Sequence, residues 1–274
     1  MFDKKKEQAA RKDTTTDAAE ASAGGIAENA AGSFVGFVLL DEASIDLALL
    51  ANHLKEEWGI IVPTEEEQDS FVAEIEGMMV AVSLMPAPIP NDEAVSNAKT
   101  NWRWREAVSV AEAHKAHIMI AVLRREQSVL DAAVLHVKIC TACLMQPHAT
   151  AINTLGSVIA PDFYIDFAKG YLSNKEFPIM NLVFFGLYST DSGQTCCGYT
   201  YGIRTFGKKE IEIINSTQQA QEVHDFMANI ADYVITSDVT LRDGETIGFS
   251  AEQKLPITES AGAALGEVTL KIGF

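Results

Sequence analysis

Phe34-Val-Gly-Phe-Val-Leu-Leu40 and His117-Ile-Met-Ile-Ala-Val-Leu123 are the two stretches on which the fold class turns. Both are apolar runs without Asp, Glu, Lys or Arg, and each suits a buried strand. Between them the pattern changes period. Leu47, Leu50, Leu54 and Trp58 recur at spacings of three and four, giving one apolar stripe on a helix that Asp41 can cap and Gly59 can stop. Strands follow at Phe71–Glu76 and Met79–Leu84, turned at Gly77. Met85-Pro-Ala-Pro-Ile-Pro90 is a rigid extended connector, because proline fixes φ and removes donors. After it comes a helical region holding Val95, Ala98, Trp102 and Val108, interrupted near Thr100-Asn101. The resulting order is βαββαβ, that of a ferredoxin-like unit with helices packed on one face of the sheet.

The remainder reads as a second mixed α+β unit with a mainly antiparallel sheet. A helix is expected from about residue 127 to 145, then an irregular stretch, then a strand over 181–188. Gly198-Tyr-Thr-Tyr-Gly-Ile-Arg-Thr-Phe-Gly-Lys-Lys-Glu-Ile-Glu-Ile-Ile214 reads as a hairpin turned at Phe206-Gly207-Lys208-Lys209. Its alternation puts Tyr199, Tyr201, Ile203 and Thr205 on one face, and Thr200, Gly202, Arg204 and Phe206 on the other. Gly207 supplies the positive φ of a II′ turn, and Gly202 marks a bulge or a close backbone approach. Ser216 with Gln219 signals the start of a helix over 217–235 whose buried stripe is Val223, Phe226, Met227, Ile230 and Val234. Asp243-Gly244 signals a type I′ hairpin, and Val268–Phe274 alternates as a final strand. The domain organisation expected is a disordered leader over residues 1–32, poor in large apolar side chains, and a single α+β domain over 33–274. Strands of similar composition also suggest two related subunits within it, 33–125 and 126–274.

The chain has 274 residues and a net charge of −17. A surface that acidic repels nucleic acid and anionic lipid, so neither is expected as a partner, and it steers basic proteins inward. No apolar run approaches the roughly 18–20 residues of a membrane span, no signal peptide is expected, and the four cysteines do not form a disulfide framework. The localisation expected is cytoplasmic, with reduced thiols.

Candidate chemistry is sparse. His136, Cys140 and Cys143 fall at i, i+4 and i+7 of one helix and could share a face as soft metal ligands, with Cys196 or Cys197 as a fourth. Against this, the CxxC sits in mid-helix among apolar residues, where cysteine behaves as a small hydrophobe. The expectation is no metal and no cofactor. His114-Lys-Ala-His117 lacks the spacing and the acidic base of a zinc-protease helix and sits at a helix-to-strand junction. Asp162 and Asp166, after Pro161, fit the first turns of an ordinary helix. No catalytic residue is assigned. The candidate binding residues are Trp102, His114, His117, Tyr199, Tyr201, Gly202, Arg204, Phe206, Gly207 and Lys208, because Tyr and Arg pair large contact area with directed polar groups.

The pattern Tyr199-Thr-x-Gly-Ile-x-x-Phe-Gly-Lys-x-Glu-Ile-Glu-Ile213, followed by Asp243-Gly-Glu-Thr-Ile-Gly248, resembles the bacterial family of domains of unknown function numbered 4261. The Met85–Pro90 segment, Trp102 and His114-x-x-His117 fit the same pattern, so the resemblance spans roughly residues 34–274. It implies a bacterial, cytosolic protein and brings no activity and no catalytic residues. The function expected is a non-enzymatic interaction protein, such as an immunity or accessory protein engaging a basic protein partner. The alternative is an enzyme or small-ligand-binding protein with a pocket between the two α+β units.

Overall fold

Strand β1 (Ser33–Leu40) lies between β4 (Ala116–Leu123) and β5 (Ala149–Thr154), antiparallel to both, and the whole first half of the molecule is arranged around it. The structure is a computed structural model that describes residues 32–63, 68–250 and 252–274. The leader expected over 1–32 therefore lies, apart from Gly32, outside the described residues. Strands β2 (Ser70–Ile75), β3 (Met78–Met85) and β6 (Ser157–Ile159) complete a six-stranded sheet in the order β2-β3-β4-β1-β5-β6.

The expected succession βαββαβ is present: α1 (Leu47–Trp58) follows β1, and α2 (Glu93–Ala98) and α3 (Ala107–Ala113) precede β4. The strand order, however, is not the ferredoxin-like one, in which the first and third strands are neighbours. Here β4 sits between β3 and β1, and β5 occupies the other edge of β1. The physical reason lies in the strands themselves. β1 and β4 carry apolar side chains on both faces and are stable only at central positions with both faces covered. Accordingly, helices lie on both faces of this sheet rather than one. Val38, Leu40, Ile118, Ile120 and Val122 pack with α1 and with α4 (Val129–Leu144), while Leu39, Ala151 and Val158 pack with Ala94, Ala98, Ala107 and Ala111 of α2 and α3. Small alanines let those two short helices approach closely.

Local signals hold with small shifts. Asp46, not Asp41, caps α1 by accepting from Leu49 N at 2.8 Å, and Gly59 ends it at φ 68°. Asp41 is instead tied to the start of β5, its N–H donating to His148 O at 3.1 Å. Helix α4 is buried on nearly every side because α1, α5 (Pro161–Ser173) and α6 (Ile179–Leu182) close over the faces that the sheet leaves.

The second sheet contains β7 (Phe184–Tyr188), β8 (Cys196–Tyr201), β9 (Ile211–Ser216), β10 (Thr246–Ile247), β11 (Leu255–Ala261) and β12 (Val268–Ile272) in the order β10-β11-β12-β9-β8-β7. β12 runs parallel to β9, and the other pairs are antiparallel. The mixed α+β class with two mainly antiparallel sheets is thus observed. Helix α7 (Ala220–Thr236) covers one face with the stripe read from its periodicity, but its capping box is Gln219 with Glu222, one turn later than the Ser216 signal. Asp243-Gly244 forms a turn without the expected hairpin, since β10 pairs with β11 and residues 239–241 are not a strand. Val268, at the edge of β12, is 51% exposed rather than buried. One continuous apolar core joins both sheets, and at their seam Phe206 meets Phe34 at 5.7 Å and Phe177 at 5.8 Å between ring centroids.

Glu212 shows how the second sheet is locked. It alternates with Ile211 and Ile213, which enter the core, and is itself fully buried. Its carboxylate accepts from the N–H groups of Ala263 and Ala264 at 2.9 Å each and from Thr269 Oγ1 at 3.0 Å, and it pairs with Lys271 at 3.0 Å. Desolvation pushes the Glu212 pKa up, but the two amides, Lys271 and Thr269 together outweigh it, and the net shift is down from 4.5. A carboxylate depressed in the folded state stabilises fully above its unfolded value, and that contribution is lost as pH falls through the folded-state pKa. Glu212→Gln is therefore expected to cost about 3 kcal/mol near neutral pH, because it strands Lys271 and the amides. Urea unfolding should show this loss shrinking below pH 4.5, as the wild type loses its own carboxylate.

Candidate functional site

The β8–β9 connection does not make the tight turn its sequence suggested. After Tyr201 the chain enters a 3₁₀ turn at Ile203–Phe206, and Gly207, at φ 73°, closes that turn rather than a II′ hairpin. The reason is Glu210, which is 3% exposed. Its Oε1 accepts from Gly202 N at 2.8 Å and Arg204 N at 3.1 Å, and its Oε2 accepts from Thr200 Oγ1 at 2.7 Å. The close approach read at Gly202 is observed: φ is 127°, and a Cβ there would stand 2.7 Å from Leu182 O.

This bent connection forms one wall of a cleft of about 400 Å³ between the two sheets. The first sheet contributes Phe34, Phe37, Asn153 and Thr154, α4 contributes His136, and α2 contributes Glu93 and Asn97. Across from them lie Asn181 of α6, then Tyr201, Gly202, Arg204 and Glu210. Several of these polar groups satisfy one another. Asn97 Nδ2 donates to Asn153 Oδ1 at 2.9 Å, and the Arg204 guanidinium is ion-paired with Glu267. Asn181 is 2% exposed and donates through Nδ2 to Tyr164 O at 2.8 Å, yet its Oδ1 has no donor among the described residues. Burial pushes the Glu93 carboxyl pKa up. Burial also raises that of the Tyr201 hydroxyl, with Glu210 and Glu93 adding to the effect and Arg204 opposing it.

His136 and Cys140 form a pair at the floor of this region, with Nε2 3.4 Å from Sγ. Burial lowers the His136 pKa to about 4 and raises those of the Cys140 and Cys143 thiols. Both partners of the pair are thus neutral at pH 7. A thiol so far from ionisation is not a ready nucleophile. Among the described residues no group of three or more His, Cys, Asp or Glu is arranged to hold a metal ion, so the metal alternative at His136, Cys140 and Cys143 is not supported.

The structure scatters the candidate binding residues. Tyr201, Gly202 and Arg204 line the cleft. Phe206 is a seam residue in the core, and Lys208 is held at the surface by Asp238 at 2.6 Å. Tyr199 lies over Gly186, among Phe184 and Tyr188. His114 accepts from Ile89 N at 2.9 Å and donates to Ala111 O, while His117 donates to Ala87 O at 2.9 Å. These two histidines pin the proline connector. His117 meets the cleft only by packing edge-on against Phe37 at 5.7 Å. Trp102, 41% exposed, donates to Phe185 O at 2.9 Å and borders a separate cavity.

Sequence reasoning missed Glu93, Asn97, Asn153, Asn181 and Glu210 as lining residues. The one available signal was a lone Asn181 inside an apolar stretch. Nothing local in Glu210-Ile-Glu-Ile213 announces the amides that its two glutamates bind.

Residues 199–273 match the family model described as domain of unknown function (DUF4261). The match bears out the resemblance over its C-terminal part, from β8 through β12, and takes in both buried glutamates, Gly202 and Arg204. Trp102, His114 and His117 lie outside the matched residues. No curated protein and no solved structure matches the chain. Among the described residues no helix is long and apolar enough to cross a membrane.

Gly202→Ala is expected to cost at least about 2 kcal/mol, from a forbidden φ combined with a backbone clash at Leu182. Chemical denaturation measures this, and Gly207→Ala, whose Cβ would meet nothing within 4 Å, serves as the milder reference.

Proposed function

We propose that this chain is a binding protein that holds a small, hydrogen-bond-donating ligand in the cleft between its two sheets. The observation that carries this reading is the cleft itself, whose wall includes Asn181, a residue with a buried Oδ1 that has no donor among the described residues. Leaving such a group unsatisfied costs on the order of 1–3 kcal/mol, and a ligand N–H or O–H would recover it. Glu93 adds a desolvated carboxylate on the facing wall, and Arg204 is already occupied by Glu267. Among the described residues Glu93 is thus the lining carboxyl group without a bonded partner and Arg204 is not free, which favours amines, guanidines or polyols over carboxylates and phosphates. Phe34, Phe37 and Tyr201 supply apolar faces for the rest of such a ligand. The neutral Cys140–His136 pair supports binding rather than nucleophilic catalysis.

A thermal-shift screen of amines, guanidines, sugars, nucleosides and organic acids tests this. A donor-rich compound should raise Tm by several degrees, and Glu93→Gln or Tyr201→Phe should reduce that shift by more than half. Stabilisation by organic acids alone, or by no compound, would defeat the reading.

The net charge of −17 favours a second reading, a cytoplasmic bacterial immunity or accessory protein that engages a basic partner. Purification of the tagged chain from its native cells at low salt should then recover a stoichiometric, salt-releasable basic protein. Recovery of the chain alone would count against it.

A further inference from the structure

Neighbouring residues of the α6–β7 segment face two different cavities. Asn181 and Leu182 line the cleft, whereas Met180, Val183 and Phe184 line a second cavity of about 240 Å³. Its walls are almost wholly apolar, and its charged group is Arg103.

Arg103 is the cation of that wall, and it forms no ion pair among the described residues, a condition it shares with Lys99, Arg105 and Arg242 at the surface. Its guanidinium carbon lies over two aromatic rings, 4.7 Å from the centroid of Trp102 and 5.1 Å from that of Phe163, while the side chain keeps an exposed part. At its edge, Nη2 lies 3.1 Å from His224 Nε2. A guanidinium only donates, so Nε2 must accept, which leaves the proton on Nδ1, 3.1 Å from Asp225 Oδ1. That contact consumes one donor, and the remaining fork has no carboxylate to meet. Burial lowers the Arg103 pKa and the nearby Asp225 charge raises it, as expected for a cation held against apolar walls.

We propose that this cavity is a second binding site, for a small carboxylate with an apolar or aromatic body. A planar guanidinium resting on aromatic rings, with N–H donors still open, can grip a carboxylate through paired hydrogen bonds. The apolar walls from Ile159, Phe163, Met180 and Val183 would take the body of the ligand. The cavity is smaller than the usual range for drug-sized ligands, about 300–1,000 Å³, which restricts the occupant to a compact acid. This site is separate from the cleft, whose charged group without a partner is the Glu93 carboxyl instead.

The test is a titration of the full chain with phenylacetate and with its neutral amide, phenylacetamide. Binding is followed by tryptophan fluorescence, since Trp102 and Trp104 both border the cavity, and by ligand-observed NMR. Phenylacetate should bind saturably, at least about tenfold more tightly than the amide. Arg103→Gln should abolish that preference, Arg103→Lys should retain part of it, and the cleft variant Glu93→Gln should leave it unchanged. The proposal is overturned if acid and amide bind alike, if Arg103→Gln binds the acid as well as the wild type does, or if no saturation appears by about 10 mM. Should Arg103→Gln lose its native circular dichroism, the acid-against-amide comparison on the wild-type chain decides.

Discussion

A buried carboxylate sets the path of the chain where the two sheets meet. Glu210 gathers Gly202 N, Arg204 N and Thr200 Oγ1, and Thr200 Oγ1 in turn accepts from Ile211 N at 2.8 Å. A carboxyl group without exposure is tolerable only when partners surround it, and here most of them are backbone N–H groups of the connection itself. The bonds bend β8 into a 3₁₀ turn, bring Gly202 against Leu182 and drop Phe206 between Phe34 and Phe177. The seam, the cleft wall and the position of Tyr201 all follow from that bend.

Glu212 repeats the device two residues on. The pair alternates with Ile211 and Ile213, so one side of β9 feeds the core and the other holds two carboxylates in shells of donors. One fastens the β8–β9 connection and the other fastens the turn between β11 and β12. Both lie within the segment that matches the family model, where the Glu-Ile-Glu-Ile motif has a structural explanation that needs no catalysis. Function is better sought in what the fold leaves open: acceptors in the cleft, and a guanidinium without an acid in the neighbouring cavity.

Periodicity carried much of the secondary structure into view. The stripe of α7, the stop at Gly59, the break near Thr100-Asn101 and the paired apolar strands were legible because each depends on residues a few positions apart. Gly202 was legible as a close approach for the same reason, though not what it approaches. The site was much less legible. Asn181, Asn153, Glu93 and Tyr201 come from four separate elements, and no local pattern links them. His114 and His117 attracted attention as a motif, yet they hold the Met85–Pro90 connector in place through backbone bonds.

Short-range order in this protein, including its mixed α+β class, follows from side-chain alternation, capping residues and glycines, all of which act within a turn or two of the chain. The strand order does not. β4 lies beside β1 because both need cover on two faces, and only the assembled helices α1 to α4 can supply it. Likewise the sequence could nominate Tyr201, Arg204 and Trp102, but packing alone assigns them to two cavities. Burial and hydrogen-bond satisfaction depend on partners that lie up to 121 residues away, as Arg103 and His224 do, and those contacts are set by the tertiary fold.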